Sequence, residues 1–171
     1  MSKVLIVSDS HGLTEELSEL KNRHKDVEKF IHCGDSELSK NDEAIDQFVV
    51  VRGNCDYESL FLHDEVTDFK GTKFLVTHGH LYNVKSTLMN LKYKAEELDA
   101  KIVCFGHSHL LGIEKIGNRL FINPGSLRLP RGRNERTYVV LNFTEQEVDF
   151  HVYDFDQGEI VQLRQSFQLH K

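Results

Sequence analysis

The chain has 171 residues, of which 39% are hydrophobic and 28% charged, and its formal net charge is −6. This length and composition predict a single globular domain over residues 1–171, which can bury about two thirds of its unfolded surface. The negative charge excludes a general attraction to long nucleic acids or anionic membranes, so phosphate binding requires a local positive charge. No apolar stretch approaches the roughly 20 residues of a membrane span.

Cysteine usage and the N-terminal residues indicate where the protein resides. The three cysteines are odd in number and lack zinc-finger spacing, which favours free thiols in a reducing compartment. The apolar part of the N-terminus, Val4–Val7, is too short for a signal peptide. We therefore expect a cytoplasmic protein.

Short apolar runs predict the first strands. They do not alternate with polar residues, which is typical of parallel strands buried on both faces. The runs are Val4–Val7, Phe30–Ile31, Phe48–Val51, Phe74–Val76 and Ile102–Phe105.

Helices are predicted between these runs. One apolar stripe on helical spacing precedes the second strand, with His24 interrupting it, and a second stripe precedes the fifth strand. The stripes are Leu13, Leu17, Leu20, Val27 and then Val84, Leu88, Leu91, Ala95, Leu98. A shorter helix is predicted over Asn41–Gln47. Helices in these positions would connect parallel strands.

The last third of the chain carries two hairpin patterns. Leu111–Ile116 and Arg119–Ile122 flank Gly117-Asn118, and Tyr138–Phe143 is separated from Val148–Tyr153 by a four-residue turn. These patterns predict antiparallel strands. The simplest architecture is an α/β fold of two sheets packed face to face, with helices outside.

Polar turns follow all five apolar runs, with at most two residues in between. In parallel sheets, ligands collect outside the carboxyl ends of the strands. The turns read Ser8-Asp9-Ser10-His11, Gly34-Asp35, Gly53-Asn54-Cys55-Asp56, Thr77-His78-Gly79-His80 and Gly106-His107-Ser108-His109. Side chains two apart on an extended segment point the same way, so Asp9 and His11, or His107 and His109, can reach one ion.

Each of these residues also has an ordinary explanation. A lone histidine near a strand end is usually a structural or surface residue, and Asp or Asn after Gly is common in turns. The joint pattern favours metal binding over these separate explanations, and it predicts a site for two ions. Mixed nitrogen and oxygen donors without thiolate suit Mn²⁺, iron or Zn²⁺ in open sites.

The ordered motifs resemble the signature of the calcineurin-like metallophosphoesterases, in particular their small prokaryotic phosphodiesterase branch. The resemblance covers residues 3 to about 126 and continues through Asn123-Pro124-Gly125-Ser126. It implies a four-layer α/β/β/α sandwich of two mixed sheets flanked by helices. It also implies two divalent ions, with manganese as the first choice and iron, nickel or zinc as alternatives. The first ion would be held by Asp9, His11, Asp35 and His109, and the second by Asp35 as a bridge, Asn54, His78 and His107.

The implied reaction is hydrolysis of a small phosphodiester by a hydroxide that bridges the two ions. Many members of the family carry His where this chain has Cys55, a weak proton donor. We therefore expect activity on diesters with acidic leaving groups more than on alkyl monoesters. His80 is a candidate replacement donor or a supporting residue, and Asp56 is a candidate supporting residue.

Other functions stay open at this point. One is a non-catalytic interaction scaffold, as in the retromer subunit of similar fold, and another is a nuclease for short oligonucleotides. Arg128, Arg131 and Arg133 lie around Pro130, where they can grip a substrate phosphate or simply form a solvated loop. A homo-oligomer through the exposed faces of the C-terminal strands is also an open expectation.

Overall fold

A computed structural model describes residues 1–169, and over that range it contains twelve strands. The strands are β1 Ser2–Val7, β2 Lys29–His32, β3 Phe48–Val50, β4 Asp64–Phe69, β5 Thr72–Thr77, β6 Ile102–Cys104, β7 Gly112–Ile116, β8 Arg119–Asn123, β9 Thr137–Phe143, β10 Glu147–Asp154, β11 Gly158–Glu159 and β12 Gln165–Gln168. The α-helices over the same range are α1 Glu15–Arg23 and α2 Met89–Leu98. Short 3-10 turns occupy Glu43–Ile45, His80–Tyr82 and Val161–Leu163.

The strands form two mixed sheets. The first sheet has the order β11-β10-β9-β1-β2-β3, with β12 also pairing with β10, and its strands β1, β2 and β3 are parallel. The second sheet has the order β4-β5-β6-β8-β7, in which β5, β6 and β8 are parallel and the two edge strands are antiparallel. The predicted pair of mixed sheets is confirmed.

Buried side chains divide into three layers of core. The central layer lies between the sheets, where Val4 and Ile6 of β1 meet Phe74 and Val76 of β5. Because side chains alternate along a strand, the next residues of β1 point outward. There Leu5 and Val7 pack with Leu17 and Leu20 of α1.

The third core layer covers the outer face of the second sheet. Leu91 and Ala95 of α2 pack with Leu75 and Val103 of that sheet. Each Leu or Val side chain that leaves water in these layers contributes about 1.5–3 kcal/mol. The order helix, sheet, sheet, helix confirms the expected four-layer sandwich.

Both predicted helices are shorter than their apolar stripes. The stripe that starts at Val84 becomes helical only at Met89, because Asn83 takes a left-handed conformation and the chain turns before the helix. Val84 is buried without being helical. Val27 likewise lies beyond the end of α1, and the predicted helix over Asn41–Gln47 is a single 3-10 turn, Glu43–Ile45.

The two C-terminal hairpins are confirmed as β7–β8 and β9–β10, although β8 also pairs in parallel with β6. Two hairpins were missed by the sequence patterns, β4–β5 and the short β10–β11 pair. Strand β4 pairs antiparallel with β5 through Lys70-Gly71, both of which have positive φ. No helix within residues 1–169 has the length and apolar character needed to cross a bilayer.

Candidate metal centre

The polar turns meet at the end of the sandwich where the parallel strands finish. The Asp9 N–H donates to the Gly34 carbonyl and the Gly106 N–H to the His78 carbonyl, each at 3.0 Å. The His78 ring reaches across to the other sheet, with Nδ1 2.8 Å from the carbonyl oxygen of Cys33. Backbone hydrogen bonds within each sheet and a histidine between them thus bring four of the five turns together.

His78 and His109 are oriented by main-chain carbonyls. Nδ1 of His78 lies 2.8 Å from the Cys33 oxygen, and Nδ1 of His109 lies 2.7 Å from the Leu129 oxygen. A carbonyl oxygen only accepts, so each Nδ1 carries the hydrogen, and Nε2 of the neutral ring is a free lone pair. Proteins commonly orient metal-binding histidines with such a bond.

These lone pairs face oxygen atoms that also carry lone pairs. Nε2 of His109 is 3.0 Å from Oδ1 of Asp9, and Nε2 of His78 is 3.1 Å from Oδ2 of Asp35 and 3.0 Å from Oδ1 of Asn54. Oδ1 of Asp9 is buried and has no hydrogen-bond partner. Such contacts are attractive only when a proton or a metal cation lies between the atoms, so this donor set fits divalent ions.

His11 and His107 complete the set of seven predicted ligand residues. Nε2 of His11 is 3.3 Å from Nε2 of His109 and 3.8 Å from Oδ1 of Asp9. The His107 ring centroid is 5.1 Å from that of His78, at the edge of the cluster. The structure therefore brings all seven side chains to one place.

Among the seven predicted ligand residues, two triads have ligand atoms that all lie within 4.8 Å of one another, namely Asp9, His11 and His109, and then Asp9, Asp35 and His78. Asp9 is common to both triads, whereas the family resemblance implies a bridging Asp35. The role of each residue as a ligand, and the identity of the bridge, stay predictions.

Backbone strain is concentrated in the same residues. Among the non-glycine residues described, nine have positive φ, and five of these are predicted ligands. Their φ values are 52° for Asp9, 43° for His11, 57° for Asp35, 69° for His107 and 61° for His109. A non-glycine residue in this region costs about 1–3 kcal/mol and persists only where the surrounding structure holds it. The fold thus holds these turns in place against a local cost.

Two glycines allow the carboxylates to approach the backbone. A Cβ on Gly53 would lie 2.0 Å from Oδ1 of Asp35, and one on Gly106 would lie 2.4 Å from Oδ2 of Asp9. Contacts this short do not occur in real structures, so any side chain there would displace the carboxylate. Both glycines belong to the predicted motifs.

The Asp56 carboxylate joins two of the turns by accepting three backbone hydrogen bonds. Its Oδ2 accepts from the N–H groups of Asp35 (2.9 Å) and Gly53 (2.6 Å), and its Oδ1 accepts from the Glu37 N–H at 2.8 Å. Glu37 has positive φ and lies 3.3 Å from Nδ1 of His11. The sequence analysis missed Glu37. Its position two residues after the predicted ligand Asp35, in Gly34-Asp35-Ser36-Glu37, was the signal that could have identified it.

The segment Asn123–Ser126, which the sequence analysis left without a role, supports the histidine loop. The Asn123 amide donates to the Gly106 carbonyl (3.2 Å) and to Oγ of Ser108 (3.0 Å). Ser126 Oγ donates to the Asp9 carbonyl at 2.8 Å. The end of β8 therefore positions residues of both sheets.

Electrostatics at the centre favours carboxylates that are ionised beside a positive charge. Burial opposes ionisation of Asp35, but the hydrogen bond and charge of His78 outweigh it and lower the Asp35 pKa. Contact with Asp9 raises the pKa of His109. By contrast, burial and the nearby His78 lower the pKa of His107 to about 4, so that ring is neutral.

Cys55 and His80 lie beside the centre. The Cys55 N–H donates to Oδ1 of Asp35 at 2.8 Å, and burial together with the Asp35 charge raises the pKa of the thiol to about 11. The thiol therefore keeps its proton at neutral pH. The His80 ring centroid lies 5.4 Å from that of His78 and 6.1 Å from that of His107.

Comparison with known proteins places this architecture in a family. The chain is 46% identical over 162 residues to the probable metallophosphoesterase YsnB of Bacillus subtilis, covering 94% of this chain and 96% of that one. It is 31% identical over 108 residues to phosphodiesterase YfcE of Escherichia coli, covering 58% of this chain and 55% of that protein.

Solved structures agree with the sequence relatives. A predicted phosphoesterase from Streptococcus pneumoniae superposes with a TM-score of 0.92 at 31% identity, covering 97% of each chain. Vps29 of Entamoeba histolytica, solved with zinc, superposes with a TM-score of 0.78 at 18% identity, covering 98% of this chain and 99% of that one, a likeness of fold alone. The family model of the calcineurin-like phosphoesterase superfamily domain matches residues 2–146. The chain thus belongs to the calcineurin-like phosphoesterase superfamily.

Proposed function

We propose that the protein is a binuclear metal-dependent phosphodiesterase that hydrolyses small diesters. The observation that supports this most directly is the buried, unpartnered Oδ1 of Asp9, which faces Nε2 of His109 at 3.0 Å. We assign Asp9, His11, Asp35 and His109 to one ion and Asp35, Asn54, His78 and His107 to the other. Mn²⁺ is our first choice, and iron, nickel or zinc are alternatives.

The residues of the chain hold this site ready for a phosphate. Ions bound there would supply Lewis acidity, which activates water and neutralises charge on the phosphate oxygens. The carbonyls of Cys33 and Leu129 keep the reactive nitrogens of His78 and His109 pointed at the centre. Asp56 holds the Asp35 turn in position, so the geometry is set before substrate arrives.

The choice of a diester over a monoester depends on the leaving group. Cys55, with its pKa raised to about 11, is a poor general acid at neutral pH. Substrates whose leaving alcohol is itself acidic, such as aryl diesters, need no proton from the protein. His80 is the nearby alternative donor, and its ring packs beside those of His78 and His107.

The cellular setting that we propose is the cytoplasm. Cys33, Cys55 and Cys104 are free thiols, and Cys33 and Cys104 are buried, which suits a reducing compartment. The scaffold alternative rests on likeness of fold to Vps29, at 18% identity. A nuclease for short oligonucleotides would use the same site and differs only in its substrate.

Metal removal tests the proposal. Protein stripped with a chelator should lose turnover of bis(p-nitrophenyl) phosphate and recover it when Mn²⁺ is added, because no step proceeds without the ions. An alkyl monoester assayed in parallel should be turned over more slowly. Asn54→Ala should remove second-site metal, measured by elemental analysis, together with activity.

The outcomes separate the candidate functions. Turnover that survives complete metal removal would contradict the two-metal reaction. Two bound ions without turnover of any diester, monoester or dinucleotide would favour the scaffold. Turnover of dinucleotides far above that of the aryl diester would favour the nuclease.

A further inference from the structure

Arginines at the rim of the centre lack acidic partners. The chain has eight arginines, and five of them form ion pairs with carboxylates, namely Arg23, Arg119, Arg133, Arg136 and Arg164. Over residues 1–169, the other three, Arg52, Arg128 and Arg131, have no carboxylate within ion-pair distance. In a chain with a net charge of −6, acids are plentiful, so unpaired arginines beside the centre require an explanation.

Arg128 lies directly against the first half of the centre. Its Nη1 donates a hydrogen bond to the backbone carbonyl of His11. A guanidinium has five N–H donors, so this bond leaves the outer edge of the group free. The side chain is exposed and passes close to Gly12: its Nη1 lies 3.8 Å from the position that a Cβ on Gly12 would take.

Arg131 is held next to the other histidine of that half. Its N–H donates to the His109 carbonyl at 3.1 Å, while the Leu129 carbonyl lies 2.7 Å from the His109 ring. The backbone that carries the two arginines is therefore bonded to His109 on both sides of Pro130.

The loop is also anchored at its start. Ser126 Oγ accepts from the N–H groups of Arg128 (3.2 Å) and Leu129 (2.8 Å), while the same hydroxyl donates to the Asp9 carbonyl. The two guanidinium groups thus project from a fixed backbone and not from a free surface loop. Positioned arginine forks match the oxygens of a phosphate group.

We propose that Arg128 and Arg131 form a subsite for a second phosphate, so that the preferred substrates are diesters that carry a terminal phosphate beside the bond to be cleaved. This inference rests on the proposed phosphodiesterase function and names its substrate class. Short nucleotides with a free phosphate end have this chemistry. The scissile phosphate binds at the metal centre, and the second phosphate binds at the exposed guanidinium edges.

The neighbouring Arg133 offers a matched control. It lies in the same loop, but its Nε is 3.1 Å from a carboxylate oxygen of Glu135, so its charge is already neutralised. Arg133→Gln removes the same charge from the same segment without touching the subsite. Arg131→Gln is the deciding variant, because Arg128 also contacts the backbone of a predicted ligand residue.

Two matched substrates measure the preference. The p-nitrophenyl ester of thymidine 5′-phosphate and its 3′-phosphorylated form release the same phenol from the same bond. With Mn²⁺-loaded protein, kcat/KM should be about tenfold higher for the 3′-phosphorylated ester, the low end for a hydrogen bond to a charged group. Arg131→Gln should move this ratio toward one, and Arg133→Gln should keep it.

A binding measurement makes the test independent of turnover. Calorimetry should show tighter binding of thymidine 3′,5′-bisphosphate than of thymidine 5′-phosphate to the metal-loaded protein, with the difference lost in Arg131→Gln and reduced by salt. Equal binding of the two nucleotides by the wild type, or a preference that survives Arg131→Gln, would overturn the subsite. A binding preference without any turnover would instead overturn the proposed function and leave the subsite standing.

Discussion

Residues with left-handed backbone conformation occur at both ends of the sandwich, but they are exposed at one end and include buried residues at the other. At the amino ends of the parallel strands, the turns use exposed residues or glycines with open space around them, such as Lys70, Gly71 and Gly117. At the carboxyl ends, the same conformation is forced on Asp9 and Asp35, which are buried. One end simply reverses the chain, whereas the other keeps costly conformations that aim polar groups at a shared centre.

The difference shows where the fold sacrifices stability. A turn such as Lys70-Gly71 suits the twist of a hairpin, and only one of its two left-handed residues carries a side chain. The carboxyl-end turns combine strained backbone, an unpartnered carboxylate oxygen on Asp9 and glycines without room for a side chain. Natural proteins accept such local conflicts mainly at functional sites.

The largest expected effect follows from removing a carboxylate charge at the centre. Asp35→Asn should lower activity and metal affinity by more than about 100-fold, beyond the loss of a supporting hydrogen bond. The matched control is Asp99→Asn, since Asp99 is also left-handed but exposed at the opposite end. Titration with Mn²⁺ and diester turnover measure both. Equal effects of the two substitutions would remove the distinction between the ends.

A second test compares glycines at the two ends. Gly53→Ala places a Cβ 2.0 Å from Oδ1 of Asp35, so overpacking should lower the free energy of unfolding by up to about 3 kcal/mol and displace the metal. Gly117→Ala meets no atom within 4 Å and should cost about 1 kcal/mol through its positive φ alone. Urea denaturation and metal content measure these effects. Wild-type metal content in Gly53→Ala would contradict the close-packed turn.

The smallest effect concerns a histidine buried beneath the centre. His32 accepts from the Gly34 N–H and contacts Oγ of Ser10, and burial lowers its pKa to about 4. Below about pH 6.5 the unfolded chain takes up a proton on His32, whereas the folded chain does so only near pH 4. The free energy of unfolding therefore falls as the pH is lowered from about 6.5 toward about 4. The free energy of unfolding of metal-free protein should drop by roughly 2 kcal/mol from pH 7 to pH 5 on this account.

The His32→Gln variant isolates this contribution from other titrating groups. An amide can accept and donate in place of the imidazole but takes up no proton, so the variant should show a shallower decline between pH 7 and pH 5. Urea denaturation at the two pH values measures the slopes. An unchanged slope would show that burial of a neutral His32 does not govern the pH dependence.

Much of the fold could be predicted from the sequence because its central strands are buried on both faces. Runs such as Val4–Val7 have no polar alternation, and the structure places them in the middle of a sheet. Edge strands leave a weaker signal. Strand β4, Asp64–Phe69, is half-exposed and mixes polar with apolar residues, so its sequence resembles a loop.

Apolar spacing was a poorer guide to where helices begin. Val84 falls on the stripe of α2 and is buried, but it lies in a turn before the helix starts at Met89. Burial therefore follows the apolar pattern, whereas the backbone conformation of that segment follows the left-handed Asn83. The local sequence therefore indicated that Val84 is buried but did not indicate whether it lies in a helix or in a turn.

The sequence by itself determined which side chains gather at the centre, because their spacing after buried strands leaves them little choice of position. Only the tertiary structure decided how they are held. The carbonyls that orient His78 and His109 and the hydrogen bonds by which Asp56 joins two turns all depend on contacts between residues far apart in the chain. Strand patterns in the sequence indicate which residues are buried. The direction in which the Nε2 lone pair of a histidine points depends instead on the carbonyl that folding places against Nδ1, on the other side of the ring.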